Sequence, residues 1–295
     1  MPLIDLHTHS RFSHDGDLPP EQLVERAAGL GVRHLALTDH NRADGNPEAV
    51  AAAATLGVTL IPGIEMDCTH EGVTLHILAY FIDHLDAGYA ELRDEVRENK
   101  AKLDREKIER LQKAGFHIDM EKTLRRARDG VLASSTVADA VLGDPRNADN
   151  PDLRRFRPGG ENAQDPLVQF AWIYMARGGP AHVRGGNPPL ARVLRLARDT
   201  GGVTVLAHPG QSLVGHEDLL PGILRAGVQG VEAYCNYHSP EAAAFWSEGA
   251  AAGGVVATCG SDFHGKVKPS IELGRHGAGA ELEPGILEAL YALRS

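Results

Sequence analysis

Apolar and β-branched residues cluster along the chain in seven short runs, each about four to eight residues long and closed by polar or turn residues. They are LIDLH from Leu3, HLALT from His34, VTLIPGIE from Val58, TLHILAYF from Thr74, VTVLA from Val203, VQGVEAY from Val228 and VVATCGS from Val255. Runs of this length and makeup predict buried strands. Between several of them lie stretches with helix punctuation. Pro19–Leu30 (PPEQLVERAAGL) opens with proline and acid and closes near glycine, and Pro47–Leu56 and Leu190–Thr200 share the form. Strand, helix and strand at this spacing build parallel βα units, so the expected fold class is α/β, as a (β/α) barrel or a doubly wound sheet. From about Asp86 to Asn187 the strand signal stops. A charged run, Tyr89–Lys113, predicts a long helix, a second helical stretch follows, and the Gly/Pro/Asn-rich segment Gly143–Gly160 reads as an exposed and partly mobile loop. The expected organisation is a barrel domain of residues 1–85 and 188–295 interrupted by an inserted, mostly helical subdomain, 86–187, that caps the barrel mouth.

Residues with metal-binding chemistry gather at or just beyond the C-terminal ends of these strands. His7 and His9 leave the first, Asp39 and His40 the second, Glu65 the third, His208 the fifth, and Asp262 and His264 the seventh. That rim is where parallel barrels and sheets assemble sites from several strand ends. His7 and His9, two apart, share one face. Asp15 follows in a glycine-containing turn, SHDGDLPP, able to return over the same mouth. His76, two residues into its strand among Leu75, Ile77 and Leu78, is the exception. Each residue alone has an ordinary reading as a cap, loop or core residue. Metal binding is the single cause that accounts for all nine together: six imidazoles and three carboxylates without a thiolate, about three per ion for three ions, leave positions open to water and substrate.

Composition narrows the function classes. The 295 residues carry 30 Lys+Arg against 40 Asp+Glu, a formal charge of −10, which disfavours a broad surface for extended duplex nucleic acid. No apolar run approaches the roughly 20 residues that span a bilayer, and Met1 leads into LIDLHTHS without a charged or apolar leader, so neither secretion nor membrane insertion is expected. Cys68, Cys235 and Cys259 are odd in number and scattered, pointing to a reducing, cytoplasmic setting. They sit in no reactive-thiol motif. Cys259 reads as core and Cys235 as near the rim.

LIDLHTHS, the Asp15–Gly16 pair, LTDHN, PGIEM, LHILAY, LAHPG and CGSDFH, in this order over roughly residues 3–85 and 200–277, resemble the polymerase-and-histidinol-phosphatase (PHP) family of metal-dependent phosphoesterases. The resemblance implies a distorted seven-stranded (β/α) barrel holding two or three divalent ions; the nitrogen and oxygen donors suit Mn²⁺ first, with Fe²⁺ or Zn²⁺ as alternatives. It implies one ion at His7, His9, Glu65 and Asp262, a second at Asp15, His40 and His264, and a third at His76 and His208 with Glu65 bridging. It also implies attack on phosphorus by a metal-held hydroxide. His40 and His264 are the candidates for proton donor to the leaving oxygen, and with Asp262 they make up the expected catalytic group.

Within the family, the length and helical insertion most resemble the bacterial branch that removes phosphate from nucleoside 3′,5′-bisphosphates and trims short RNA from its 5′ end. Arg97 and Lys100, in VRENK, correspond to that branch's phosphate-binding residues, although Asp94 and Asp104 offer them local ion-pair partners instead. Where that branch carries a Ser-Arg pair, this chain reads Ser134-Ser135. Hydroxyls bind phosphate without the bidentate charge of a guanidinium, so a second phosphate is held less firmly. His182 and Arg184, in GGPAHVRGG, are replacements or plain loop residues. Glu232 and His238, in VEAYCNYH, are expected beside the mouth, orienting a ligand or contacting substrate. The leading expectation is a phosphoric monoester hydrolase for a small phosphorylated nucleotide or the end of a short RNA. Its rivals are a histidinol-phosphate or sugar-phosphate phosphatase and a non-catalytic metal- and nucleotide-binding module.

Overall fold

The computed structural model describes Leu3–Arg294 apart from Asp129, Arg177 and Arg184. All seven apolar runs form strands. The elements run β1 (Leu3–Thr8), α1 (Pro20–Gly29), β2 (Val32–Leu37), α2 (Asn46–Leu56), β3 (Thr59–His70), β4 (Val73–Tyr80), α3 (Ala87–Lys113), α4 (Met120–Leu124), α5 (Ser134–Leu142) and α6 (Pro166–Phe170). They continue with α7 (Leu190–Asp199), β5 (Val203–Leu206), α8 (Pro209–Ser212), α9 (Leu220–Arg225), β6 (Gly230–Tyr234), α10 (Pro240–Ala252), β7 (Val256–Cys259) and α11 (Glu283–Ala292). The chain divides into two compact units, Met1–Arg93 with Asn187–Ser295, and Asp94–Gly186. The break falls inside α3 rather than before it.

In the first unit the seven strands form one sheet in sequence order, β1 to β7. Most neighbours are parallel, as the βα pattern predicts, but β4 runs antiparallel to both β3 and β5. The cause is local. Glu71 and Gly72 take left-handed backbone angles, φ 47° and 79°, and turn the chain straight back in a hairpin, whereas a parallel return needs a crossover of about a dozen residues. β3 is also longer than its sequence signal, running on to His70, so Glu65 lies within the strand and not at its end. Past the ends of β1 and β7 the chain pairs again: His9 N–H donates to Phe263 O and Asp262 N–H to His7 O, both at 2.9 Å.

Two apolar clusters hold this sheet. Ile4, Leu6, Ile61, Leu78 and Val205 meet Ile286 and Leu290 of α11, while Leu23, Val24 and Ala27 of α1 and Ala49 and Ala53 of α2 meet Val32, Leu35 and Leu37 of β2. Each fully buried aliphatic side chain contributes about 1.5–3 kcal/mol through removal from water. The three cysteines are unpaired and buried, and Cys235 directly follows the C-terminal end of β6, as expected near the rim. Burial pushes all three thiols up, away from reactivity.

The second unit has no strand among its described residues. Its core gathers Ile108, Leu111, Phe116, Val137, Val141, Leu153, Phe156 and Phe170. Gly143–Gly160 is not an open loop. Pro145–Asn147 and Pro151–Phe156 form short 3-10 turns whose first N–H groups are accepted by the Asp144 and Asn150 side chains, and Leu153 and Phe156 are buried. The Asx caps make the turns, and two apolar residues three apart anchor them. No helix among the described residues is long and apolar enough to cross a membrane.

Candidate metal centre

β1 delivers His7, and the extended continuation of the chain delivers His9 on the same face. Gly260 makes room for them: a Cβ built there would lie 2.3 Å from His7 Cβ and 2.7 Å from Glu232 Oε1. Asp15 returns to the site because the turn packs Gly16 against Ser10, where a Cβ would meet Ser10 O at 1.7 Å. His40 pairs with Glu65 by a parallel bridge beyond the end of β2. His208 and Asp262 hold positive φ values of 27° and 56°. Such angles cost about 1–3 kcal/mol each in residues other than glycine. They are held by Glu232 Oε2, which accepts His208 N–H at 2.8 Å, and by His7 O, which accepts Asp262 N–H. The placement of His76 follows from the direction of β4. Because that strand is antiparallel, its early residues lie beside the end of β5, where Ala207 N–H donates to His76 O at 3.0 Å, next to His208.

The nine side chains meet in overlapping groups whose donor atoms lie within 4.8 Å of one another. In the first group His7 Nε2 is 3.3 Å from both Glu65 Oε2 and Asp262 Oδ1, and His9 Nε2 is 3.3 and 3.0 Å from the same two oxygens. In the second, Asp15 Oδ2 is 3.3 Å from His264 Nε2 and 3.7 Å from His40 Nε2. In the third, Glu65 Oε1 is 2.9 Å from His76 Nδ1 and 3.0 Å from His208 Nε2. Metal–ligand bonds of about 2.1 Å place neighbouring donors roughly 3.0–3.4 Å apart in octahedral or tetrahedral geometry. His7 Nε2, His9 Nε2, His264 Nε2 and Glu65 Oε2 are buried and make no aligned hydrogen bond despite these short separations. Buried polar atoms in that condition are costly unless something else holds them. Nitrogen and oxygen donors, close but misaligned for one another, fit divalent ions.

Partners on the far sides of the rings fix their orientation. Glu232, fully buried, meets His7 Nδ1 at 2.9 Å, Ser13 Oγ meets His9 Nδ1 at 3.0 Å, and His264 Nδ1 lies 2.8 Å from Asp262 O. Asp262 Oδ2 accepts from Lys268 Nζ at 2.7 Å and from Tyr237 Oη. Burial raises Glu65, Asp15 and Asp262, but the surrounding histidines outweigh it and keep all three carboxyls well below their usual range. Burial likewise opposes charge on His7 and His40. Glu232 with Glu65 lifts His7 well above its ordinary value, and Glu65 with Asp15 lifts His40 to about 10. His9, buried beside His264 and His40, is held well below it.

The residues expected to touch substrate are distributed otherwise. Arg97, Lys100, Ser134 and Ser135 all lie in the second unit. Arg97 is exposed and pairs with Asp94 at 3.5 Å, and the two serines open α5 in solvent. His182 is tied to main chain, its O accepting from Arg110 and its Nδ1 3.4 Å from Met175 O; Arg184 lies outside the described residues. His238 departs from the expected substrate contact. Its Nδ1 meets Ala233 O at 2.7 Å and its Nε2 accepts Gly210 N–H at 2.9 Å, so both nitrogens brace the turn that carries His208 and neither remains for a phosphate. Asp67, Ser13, Tyr237 and Lys268 escaped the sequence reading. Only Asp67 carried a signal, standing two residues after Glu65 and thus on the same strand face.

The PHP domain model matches residues 5–153. A 3′,5′-nucleoside bisphosphate phosphatase of Chromobacterium violaceum is 31% identical, covering 90% of this chain and 88% of its own. A phosphoribosyl 1,2-cyclic phosphate 1,2-diphosphodiesterase of Eggerthella lenta is 30% identical over 89% of this chain and 94% of its own. A solved structure from Bifidobacterium adolescentis, described as a metal-dependent phosphoesterase, superposes with a TM-score of 0.71 at 25% identity, covering 97% of this chain and 96% of its own. With the domain model spanning half its length and relatives matching nearly end to end, the chain belongs to the PHP-domain family of metal-dependent phosphoesterases.

Proposed function

We propose that the centre binds two or three divalent ions, Mn²⁺ foremost, and hydrolyses a phosphomonoester of a small nucleotide, a nucleoside 3′,5′-bisphosphate or the 5′ end of a short RNA. The observation that carries this reading is the set of buried donor atoms spaced as coordination edges yet unaligned as hydrogen bonds. The relatives' names, a nucleoside bisphosphate phosphatase and a cyclic phosphate diphosphodiesterase, support the substrate class. Bound divalent ions supply Lewis acidity, lowering the pKa of water and neutralising phosphate oxygens as charge moves to the leaving group.

The protein's own contribution is positioning. Glu232 keeps the His7 proton on Nδ1, and Ser13 and the Asp262 carbonyl act in the same way on His9 and His264, so each ring offers Nε2 inward. His7, His9 and Glu65 are sealed from solvent, whereas the side chains of His76 and Asp15 are 28% and 21% exposed, which gives substrate its approach. With its Nδ1 on the Asp262 carbonyl, His264 would hold an ion through Nε2 and would then have no proton to give the leaving oxygen. It serves as a ligand, and His40, flanked by Asp15 on one side and Glu65 on the other, does the same.

The test is phosphate release by Mn²⁺-loaded protein from a nucleoside bisphosphate, its two monophosphates, a cyclic phosphodiester, histidinol phosphate, a sugar phosphate and a 5′-phosphorylated oligoribonucleotide, with His7→Ala alongside. Turnover of the nucleotides, lost with bound metal in His7→Ala, is expected. Absence of release from every substrate, with unchanged metal in the variant, contradicts the reading.

A further inference from the structure

Asp67 belongs to none of the three ligand groups described above, but with His40 and His76 it forms a fourth cluster whose donor atoms lie within 4.8 Å of one another, and through those two rings it is tied to two of the three. It follows Glu65 by two residues on β3, and the hairpin register sets it directly opposite His76 on β4. It is 3% exposed. Its Oδ1 lies 3.4 Å from His76 Nε2 and 3.6 Å from His40 Nδ1. These nitrogens face away from the groups their rings join, since His76 shows Nδ1 to Glu65 Oε1 and His40 shows Nε2 to Asp15 Oδ2. Glu65 Oε2 is nearer to His40 Nδ1, at 3.0 Å, but that oxygen also belongs to the group of His7, His9 and Asp262, while Oε1 belongs to that of His76 and His208. When both Glu65 oxygens are engaged there, the acceptor remaining for His40 is Asp67.

We infer that Asp67 is a positioning carboxylate shared by two ligand histidines, accepting from His40 Nδ1–H and His76 Nε2–H and thereby fixing the tautomers that present His40 Nε2 and His76 Nδ1 to different ions. The inference rests on the metal-centre reading above. The main chain supports it. Asp67 N–H donates to Asn41 Oδ1 at 2.9 Å and Asn41 N–H to Glu65 O at 2.7 Å, so the segment carrying His40 is laced to the stretch of β3 carrying both carboxylates. An outer carboxylate on a metal-bound histidine is typically worth 10–100-fold in metal affinity, and here one group acts on two rings, so two ion positions weaken together.

The experiment titrates Mn²⁺ into the full chain, Asp67→Ala, Asp67→Asn and His7→Ala against a fluorescent chelator, measures metal content at saturation, and records histidine ¹H–¹⁵N long-range spectra of the Zn²⁺-loaded proteins. Expected for Asp67→Ala is the wild-type ion count at saturation, affinity lowered about 10–100-fold at two positions, and loss of the protected His40 Nδ1–H and His76 Nε2–H signals. Asp67→Asn, which preserves shape and one acceptor oxygen, falls between. Unchanged affinity and tautomers overturn the inference, and so does loss of one whole ion at saturation, which makes Asp67 a ligand. A wild-type protein that binds no Mn²⁺ overturns instead the metal-centre reading on which the inference rests.

Discussion

Glu232→Gln isolates the mechanism that turns His7 towards an ion. Glu232 is fully buried and uses both oxygens, Oε1 at 2.9 Å from His7 Nδ1 and Oε2 accepting His208 N–H at 2.8 Å. A carboxamide has one acceptor oxygen and one NH₂ group. His208 N–H can only donate, so it claims the oxygen and leaves the NH₂ against His7. That contact is satisfied only when Nδ1 accepts, which moves the ring proton to Nε2, the atom facing Glu65 and Asp262. Restoring the ligating tautomer opposes two donors in the interior, costing about 1–3 kcal/mol. At about 1.4 kcal/mol per decade, metal affinity should fall roughly 5- to 150-fold. The assay is Mn²⁺ titration by calorimetry with turnover measured at each concentration. Affinity should drop, and excess Mn²⁺ should restore the ion count and most activity. Wild-type affinity in Glu232→Gln would refute the reasoning, because His7 would then need no fixed tautomer.

Gly260→Ala forces a Cβ to 2.3 Å from His7 Cβ and 2.8 Å from His7 N, so β7 must shift against β1; a loss of about 1–3 kcal/mol in urea unfolding together with reduced metal content is expected, and wild-type values of both contradict the packing. Phe156→Ala should destabilise the second unit by about 3–5 kcal/mol, because the ring is buried against Phe170, whereas a residue in an open loop would cost no more than about 0.5 kcal/mol; chemical denaturation decides. Metal-free protein has a pH dependence of definite sign. His40, raised to about 10 by Glu65 and Asp15 against the effect of burial, adds stability that is complete below about pH 6.5 and lost as pH rises through 10, while the depressed Glu65, Asp15 and Asp262 add stability present above about pH 4.5 and lost in acid. The melting temperature in EDTA should therefore fall between pH 6.5 and 10 while Mn²⁺ affinity rises over the same window, as ions displace ring protons. A melting temperature in EDTA that climbs over that range contradicts the charge assignment.

The strands were legible because each is a short apolar run bounded by polar residues, and buried strands need no alternation to be seen. The direction of β4 was not. Two positive-φ residues, Glu71 and Gly72, reverse the chain, and Glu-Gly is a weaker turn signal than Asn-Gly. That one reversal explains why His76 looked misplaced on a parallel pattern. The buried turns of Gly143–Gly160 were hidden because Leu153 and Phe156 are few among glycine, proline and asparagine, and packing rather than composition decides their burial. His7, His9, His40, His208, Asp262 and His264 were conspicuous because they stand at or just past strand ends, where parallel folds build sites, whereas Glu65 and His76 lie within β3 and β4. The groups that orient them were less so. Ser13, Tyr237 and Lys268 act through contacts that only the tertiary structure creates, and His238, conspicuous in sequence, spends its ring on main-chain atoms.

The central question is whether these side chains hold the ions. Anomalous diffraction at the manganese edge from crystals grown with Mn²⁺ tests this directly. Peaks are predicted between His7, His9, Glu65 and Asp262 and between Asp15, His40 and His264, with a third expected beside His76 and His208. A map without peaks at these positions, from protein that releases phosphate from a nucleotide, would contradict the central claim.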